Sequence, residues 1–225
     1  MPGPKPNNTK FEFDPVLHEY RWNREIVPSV TQLIQEFGLL DYSRVPPDRL
    51  EFKRLIGIRT HAASLLVDNG SLDEEHFNTH FPECVPYLEA YRKFRIIEEF
   101  EPTHKEDRHY SRKWRFAGTP DEHGIHMGVF KGAHVLVDYK CTWRMYESTG
   151  PQLAGYSMLI EENLGIKIKG RFGLLLKPTG HYELTPFKKQ DDFTDFQACV
   201  HLHWQKRNKY KTTKGVYHGS DRTDD

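Results

Sequence analysis

The turn Gly118-Thr119-Pro120-Asp121 and the run Val135-Leu136-Val137-Asp138-Tyr139-Lys140 lie 17 residues apart, counted from Asp121 to Asp138. That interval fits a β-hairpin with strands at about 122–129 and 133–140 and its turn between Gly128 and Gly132. A short apolar run that ends in charged residues reads as a strand buried through its middle and emerging at its end. Alternation along the strand puts Asp138 and Lys140 on one face. The hairpin brings Asp121 beside Asp138. Two carboxylates that close repel each other, so something positive must stand between them.

A divalent cation meets that need, and oxygen ligands favour Mg²⁺, with Mn²⁺ as a substitute. Two carboxylates with an ammonium alongside are what metal-assisted phosphodiester cleavage requires. An isolated D-x-K at a strand end is weak by itself, because strand ends are commonly polar. The glycine turn and the preceding apolar run strengthen it.

The 225 residues suit one domain with its own core. Lys plus Arg equals Asp plus Glu at 32 each, which disfavours an indiscriminate nucleic-acid coat but permits a local basic groove. Basic clusters occur at Arg92-Lys93 with Arg95, at Arg112-Lys113 with Arg115, at Lys167 to Arg171 and at Lys206 to Lys211; each alone reads as a solvated face. The three cysteines, Cys84, Cys141 and Cys199, include no C-x-x-C pair, so neither a disulfide framework nor a four-cysteine zinc or iron–sulfur site is expected. Cys141 reads as a packing residue. No apolar run reaches membrane length, and the Pro-rich start lacks a signal core, so a cytoplasmic protein without membrane contact is the default.

Residues 1–9 read as a loose Pro/Asn arm. Strands are expected at 10–14 and 18–22, with the pattern extended by Ile26-Val27, and a helix opens at the Ser29 cap and stops at Gly38. Longer helices follow from Pro46-Pro47 to Asp68 and over 83–100. Short strands come next at 102–110 and 113–118, ahead of the hairpin at 122–140. A helix over 151–163, a hairpin at 169–177 and 181–186, and a helix over 191–210 complete the chain. The order gives an α/β (α+β) fold in one domain, with 10–100 as hairpin and helical cap, 101–210 as the core and 211–225 as a flexible tail.

Four segments carry a resemblance. Gly57-Ile58-Arg59-Thr60-His61, Gly118-x-x-Asp121, Asp138-Tyr139-Lys140 and Gln152-Leu153-Ala154-Gly155-Tyr156 occur in the order of the RecB-like exonuclease branch of the PD-(D/E)xK nuclease superfamily. The segment from Glu12-Phe13-Asp14 to Ser29-Val30-Thr31 resembles that of small bacteriophage exonucleases. The resemblance covers roughly residues 50 to 160. It implies a restriction-endonuclease-like mixed central sheet flanked by helices, with a helical N-terminal segment over the active site. It also implies a Mg²⁺-dependent DNA exonuclease acting in phage or bacterial recombination, replication or repair, alongside a single-strand annealing protein. Asp121, Asp138, His61 and the backbone carbonyl of Tyr139 would be metal ligands. Lys140 would orient the attacking water. Gln152 and Tyr156, four apart on one helix face, would line the cleft and contact substrate or Lys140. Several relatives hold an iron–sulfur cluster on four cysteines, which this chain cannot.

Many members also carry a glutamate ahead of the Gly-x-x-Asp turn. Glu106 is the leading choice here, with Glu101 and Glu99 in competition. Trp143, Tyr146 and Arg144 follow the catalytic strand in a polar stretch and are expected to contact DNA by stacking and charge. Trp114 is a further stacking candidate, while Phe116 reads as core. His123 and His126 could see DNA. His76 and His80 are four apart, but their segment is not patterned as a helix, and His201 and His203 read as solvated. A DNA endonuclease of the same fold, a non-catalytic nucleic-acid-binding module and an unrelated hydrolase of small phosphoesters are the competing readings.

Overall fold

Strand β8 (Ala133–Lys140) organises the molecule, and every residue from Val135 to Tyr139 is buried. The computed structural model describes residues 11–128 and 130–213; the arm at 1–9 and the end of the tail lie outside the described residues. On one side β8 pairs antiparallel with β7 (Glu122–His126), Glu122 opposite Val137. On the other it pairs parallel with β9 (Gly170–Leu176), Asp138 opposite Gly173. β10 (Tyr182–Pro186) lies outside β9, and β4 (Phe100–Lys105) lies outside β7, giving the order β10-β9-β8-β7-β4. Parallel neighbours need a crossover, and helix α5 (Thr149–Leu164) supplies it between β8 and β9. The result is a mixed central sheet flanked by helices, as expected from the order of elements.

Alternation along β8 divides the core. Val135, Val137 and Tyr139 face Tyr87, Leu88, Tyr91 and Phe94 of α4 (Val85–Ile97), together with α2 (Pro47–Asp68). Leu136 faces the other way, into Val30, Leu33 and Ile34 of α1 (Val30–Glu36), Leu153 and Leu159 of α5, and Phe196 of α6 (Asp191–Thr213). Asp138 and Lys140 share that second face at the carboxyl end of β8. Helices α5 and α6 approach closely because Gly155 has no side chain; a Cβ there would stand 2.7 Å from the Phe196 ring.

A second, three-stranded sheet is formed by β1 (Phe11–Asp14), β2 (Glu19–Trp22) and β3 (Glu25–Val27). A two-stranded ribbon, β5 (His109–Ser111) and β6 (Phe116–Gly118), stacks Tyr110 on Trp22 at 4.5 Å. The Ala117 amide donates to the Pro28 carbonyl at 2.9 Å, joining ribbon to N-terminal sheet. Just beyond, Ser29 and Gln32 form a reciprocal capping box that starts α1.

Several boundaries differ from the sequence expectation for identifiable reasons. Helix α3 (Glu74–His80) was not anticipated; Asp73 caps it, but only Phe77 of its seven residues is apolar and buried, too little to show a period. The single strand expected at 102–110 is two strands in different sheets, because Glu106 adopts φ +52° and turns the chain. Likewise 113–118 shortens to β6, with Arg115 at φ +59° closing a turn from Ser111. Helix α5 begins two residues before Pro151, and α6 continues to Thr213, so the tail expected from 211 starts as helix. Among the described residues no helix is long and apolar enough to cross a membrane.

Candidate active site

A cavity of about 550 Å³ opens at the carboxyl end of β8. Its floor is Asp138, Tyr139 and Lys140, with the Gly118 to Asp121 turn beside them. Helix α2 forms one wall with Gly57, Ile58, His61 and Ala62; α5 contributes Gln152 and Tyr156; His18 of the β1–β2 turn and the buried Tyr20 of β2 complete the lining. The turn is held against α5 because Gly118 has no side chain: a Cβ there would lie 2.9 Å from the Tyr156 ring.

His61, Glu106 and Asp121 converge. His61 Nδ1 lies 3.4 Å from Asp121 Oδ1 and 3.5 Å from Glu106 Oε1. One ligand atom from each falls within 4.8 Å of the other two. The turn at Glu106 that ends β4 brings its carboxylate here, and the Glu106 amide donates to the Asp121 carbonyl at 3.0 Å. Glu101 instead pairs with Ile125 inside β4, and the Glu99 carbonyl accepts from the Met127 amide near the far end of β7. Asp121 Oδ2 accepts from the Tyr139 amide at 2.5 Å, which fixes the turn to the end of β8.

Lys140 Nζ lies 2.6 Å from Asp138 Oδ2 and donates to Gln152 Oε1 at 2.9 Å. Gln152 Nε2 then donates to Tyr156 Oη at 3.2 Å. The glutamine is thereby oriented by partners on both ends, and the four-residue spacing on α5 makes this possible.

Charge in this cleft is strongly coupled. Burial pushes the Asp138 carboxyl up to about 6, with Lys140 pulling against that shift and Asp121 adding to it. Burial also opposes charge on Asp121, but His61 and Lys140 outweigh it and hold its pKa below the usual carboxylate value. Burial disfavours the Lys140 ammonium, yet Asp138 and Asp121 prevail and keep its pKa above the ordinary lysine value. For His61, burial is again overcome, chiefly by Asp121 and then Glu106, so its imidazole holds a proton well above the usual pKa. Burial, with Asp138 and Asp121 nearby, keeps Tyr156 neutral. The acidic cluster holds positive charge at two places, on Lys140 and on His61. Only the second involves a nitrogen that can ligate a metal after losing its proton.

Several contributors were not singled out from sequence. Tyr20 Oη and Thr119 Oγ1 lie 2.6 Å apart, linking β2 to the turn that carries Asp121. Behind Tyr139, the fully buried Glu122 lies 3.2 Å from Lys105 Nζ, which also bonds Asp68 and donates to Tyr91 Oη at 2.7 Å. Burial raises the Glu122 pKa despite Lys105. The only signal for this group was a glutamate directly after Asp121. Its partners come from 37 residues upstream of Lys105 and from the neighbouring strand, so no local pattern reveals them.

Other expected residues lie elsewhere. Trp143 is 80% exposed, and Arg144 stacks on Tyr146 at 5.3 Å. Tyr146 lines a second cavity, bounded by Leu39, Met145, Phe187 and Lys188, rather than the cleft around Asp121. Trp114 packs into the core with Phe116, which is fully buried. His123 and His126 are buried and so present no surface to DNA; His123 stacks on His104 at 4.5 Å. The rings of His76 and His80 stack at 4.1 Å on α3 and belong to no metal-competent cluster among the described residues. His203 is not simply solvated, since Nδ1 lies 2.7 Å from Glu36 Oε2. Cys141 is buried, as a packing residue should be.

No family model matches the chain, and no curated protein matches it. Among solved structures, a protein of Eubacterium rectale provisionally described as an exonuclease is 14% identical, with a TM-score of 0.47; the match covers 77% of this chain and 76% of that one. An alkaline exonuclease from Laribacter hongkongensis is 12% identical, with a TM-score of 0.32, covering 82% of this chain and 93% of that one. Neither score is high enough to decide fold or activity.

Proposed function

We propose that this chain is a divalent-metal-dependent deoxyribonuclease that digests DNA from strand ends. The observation carrying this reading is the cluster of His61, Glu106 and Asp121, set beside the Asp138–Lys140 pair in one open cleft. The donors are one imidazole nitrogen and carboxylate oxygens, a set that suits Mg²⁺ or Mn²⁺ and offers no thiolate for softer metals. Asp121 and Asp138 would hold the ion with His61 and Glu106, and the Tyr139 carbonyl is placed to add to them. When bound, the ion would supply Lewis-acid stabilisation of the phosphate and an acidified water.

The protein's own groups do the remainder. Lys140, kept charged and oriented by Gln152, is placed to steady negative charge that grows on the phosphate in the transition state. Asp138, paired with Lys140 at 2.6 Å, fixes that ammonium beside the place where the ion would sit. Tyr156 holds Gln152 and stays neutral. Asp121 is locked by the Tyr139 amide and so keeps its position as charge shifts nearby.

DNA as substrate is supported by the resemblance of its four motifs and by a cleft that sets Lys140 beside the carboxylates, where a phosphate could be received. Work in recombination, replication or repair, in the cytosol and beside a strand-annealing protein, belongs to the same proposal. A timed digest of end-labelled linear DNA with Mg²⁺, Mn²⁺, Ca²⁺ or chelator tests it. Shortening from the ends with Mg²⁺ or Mn²⁺ is expected, and none with chelator. Covalently closed circles should survive; rapid cutting of intact circles would establish the endonuclease reading instead.

A further inference from the structure

Lys105 ends β4 directly opposite Glu122, the first residue of β7. Each has a metal-competent carboxylate as its chain neighbour: Glu106 follows Lys105, and Asp121 precedes Glu122. The strands stay joined across that step, since the Glu106 amide donates to the Asp121 carbonyl at 3.0 Å. Alternation turns Glu122 into the core and Asp121 into the cleft. The Lys105–Glu122 ion pair, at 3.2 Å, therefore lies behind the two carboxylates that meet at His61.

An ammonium has three N–H donors, and Lys105 meets three acceptors. Besides Glu122 it bonds Asp68, and it donates to Tyr91 Oη at 2.7 Å. Asp68 is the last residue of α2, seven positions after His61. Seven residues make close to two turns, so both side chains leave α2 on the same side. Lys105 Nζ also lies 5.9 Å from the centre of the Tyr139 ring, whose edge packs on His61 at 5.3 Å. One ammonium thus reaches the carriers of all three groups in the cluster. It reaches Glu106 along the chain, Asp121 through Glu122, and His61 through Asp68 and Tyr139.

Stability alone does not account for this arrangement. Well-packed apolar residues generally serve a core as well as a buried ion pair does. Repulsion argues against it too, because a lysine near a cation site weakens binding of the cation. What a buried ion pair with three fixed acceptors provides is a single geometry. Lys105 and Glu122 line no part of the cleft, so neither touches substrate.

We propose that Lys105 is a positioning residue, whose bonds to Glu122, Asp68 and Tyr91 fix the spacing of His61, Glu106 and Asp121 for a divalent ion. The proposal rests on the metal-site reading above and adds the part that sets the site's dimensions.

The test is calorimetric titration of folded Lys105→Met with Mn²⁺. Affinity should fall by at least about tenfold, the scale of losing a group that supports metal ligands. The sign separates the alternatives. If Lys105 acted only through its charge, its removal would tighten Mn²⁺ binding; if it served only the fold, affinity would not change. Lys105→Met leaves Glu122 without its principal counter-charge, so Lys105→Met with Glu122→Gln is measured beside it. Asp68 keeps Arg95, at 3.5 Å, in both proteins. The double variant should fold and still bind Mn²⁺ weakly, because the link between the strands is gone. In single turnover, cleavage by the double variant should be lost at limiting Mn²⁺ and recover at high Mn²⁺, with KM for DNA unchanged. Wild-type or tighter Mn²⁺ binding by either folded variant would overturn the proposal, as would a cleavage defect that excess Mn²⁺ leaves in place. If wild-type protein binds Mn²⁺ but cleaves no DNA, the nuclease reading fails, and the calorimetry still decides the role of Lys105.

Discussion

Lys140 and Asp138 stand two residues apart on one strand, with the ammonium 2.6 Å from the carboxylate. Alternation puts them on one face, and burial at the end of the strand leaves each as the other's principal counter-charge. Breaking such a pair by removing one partner leaves an uncompensated buried charge. Replacing Asp138 by Asn should therefore remove a metal ligand and the counter-charge of Lys140 while sparing the strand. Cleavage in single turnover should drop by at least about 10²-fold, the scale of losing one charge-stabilising group. Binding of DNA in Ca²⁺ should persist, because one negative charge fewer faces the phosphate. Lys140→Ala should lose activity by a similar factor. A purified Asp138→Asn protein with full Mg²⁺-dependent cleavage would remove the foundation of the proposed function.

Glu106, Glu101 and Glu99 compete on sequence alone for one acidic position, and geometry separates them. Only Glu106 reaches His61, at 3.5 Å. Glu106→Gln should weaken Mn²⁺ binding by about 10- to 100-fold, the range seen when one group supporting a metal site is lost. Glu101→Gln and Glu99→Gln should leave it unchanged. Calorimetric titration of each protein with Mn²⁺ reads this directly, and equal affinities for all three would place the metal away from Glu106.

Much of this arrangement was legible before any coordinates. The hairpin itself, the shared face of Asp138 and Lys140, and the Gln152–Tyr156 pair follow from periods of two and of 3.6 acting over a few residues. Glu106 was harder, because a positive φ and not a pattern ends β4 there. Helix α3 escaped notice since a single buried Phe77 sets no period. The contact of Tyr20 with Thr119 spans 99 residues, and the Lys105 network joins four elements. Such long-range pairings are products of packing, and local spacing holds no trace of them. His123 was misplaced for a related reason: a histidine within a strand looks the same in sequence whether it faces solvent or a stack of other rings.

Gly155 marks where α5 and α6 touch, and it belongs to the motif that supplies Gln152 and Tyr156. A Cβ there would lie 2.7 Å from one atom of the Phe196 ring and 2.8 Å from another, inside any normal contact. Gly155→Ala should destabilise the fold by about 1–3 kcal/mol through overpacking, which would exceed the gain in helix propensity. Urea unfolding should show a lower midpoint with unchanged slope. A stability equal to wild type would mean that α6 can shift outward at no cost.

His123 predicts how the fold responds to acid. It is buried, stacked on His104 and close to His134, and among the described residues neither ring nitrogen has a hydrogen-bond partner. Burial first, and then the neighbouring histidines, lower its pKa from 6.5 to about 4. A group depressed on folding contributes stability that is fully present above the unfolded value of 6.5 and is lost as pH falls towards 4. The shift corresponds to about 3 kcal/mol lost across that window. Asp138 and Glu122 work in the opposite sense, because their raised pKa values favour the folded state as pH falls. Comparison with His123→Phe isolates the histidine, since an apolar ring keeps the stack and cannot take a proton. Unfolding free energies from urea at pH 7.5, 5.5 and 4.5 should fall more steeply for wild type than for the variant. Parallel curves would show that His123 finds a partner for its proton in the folded state.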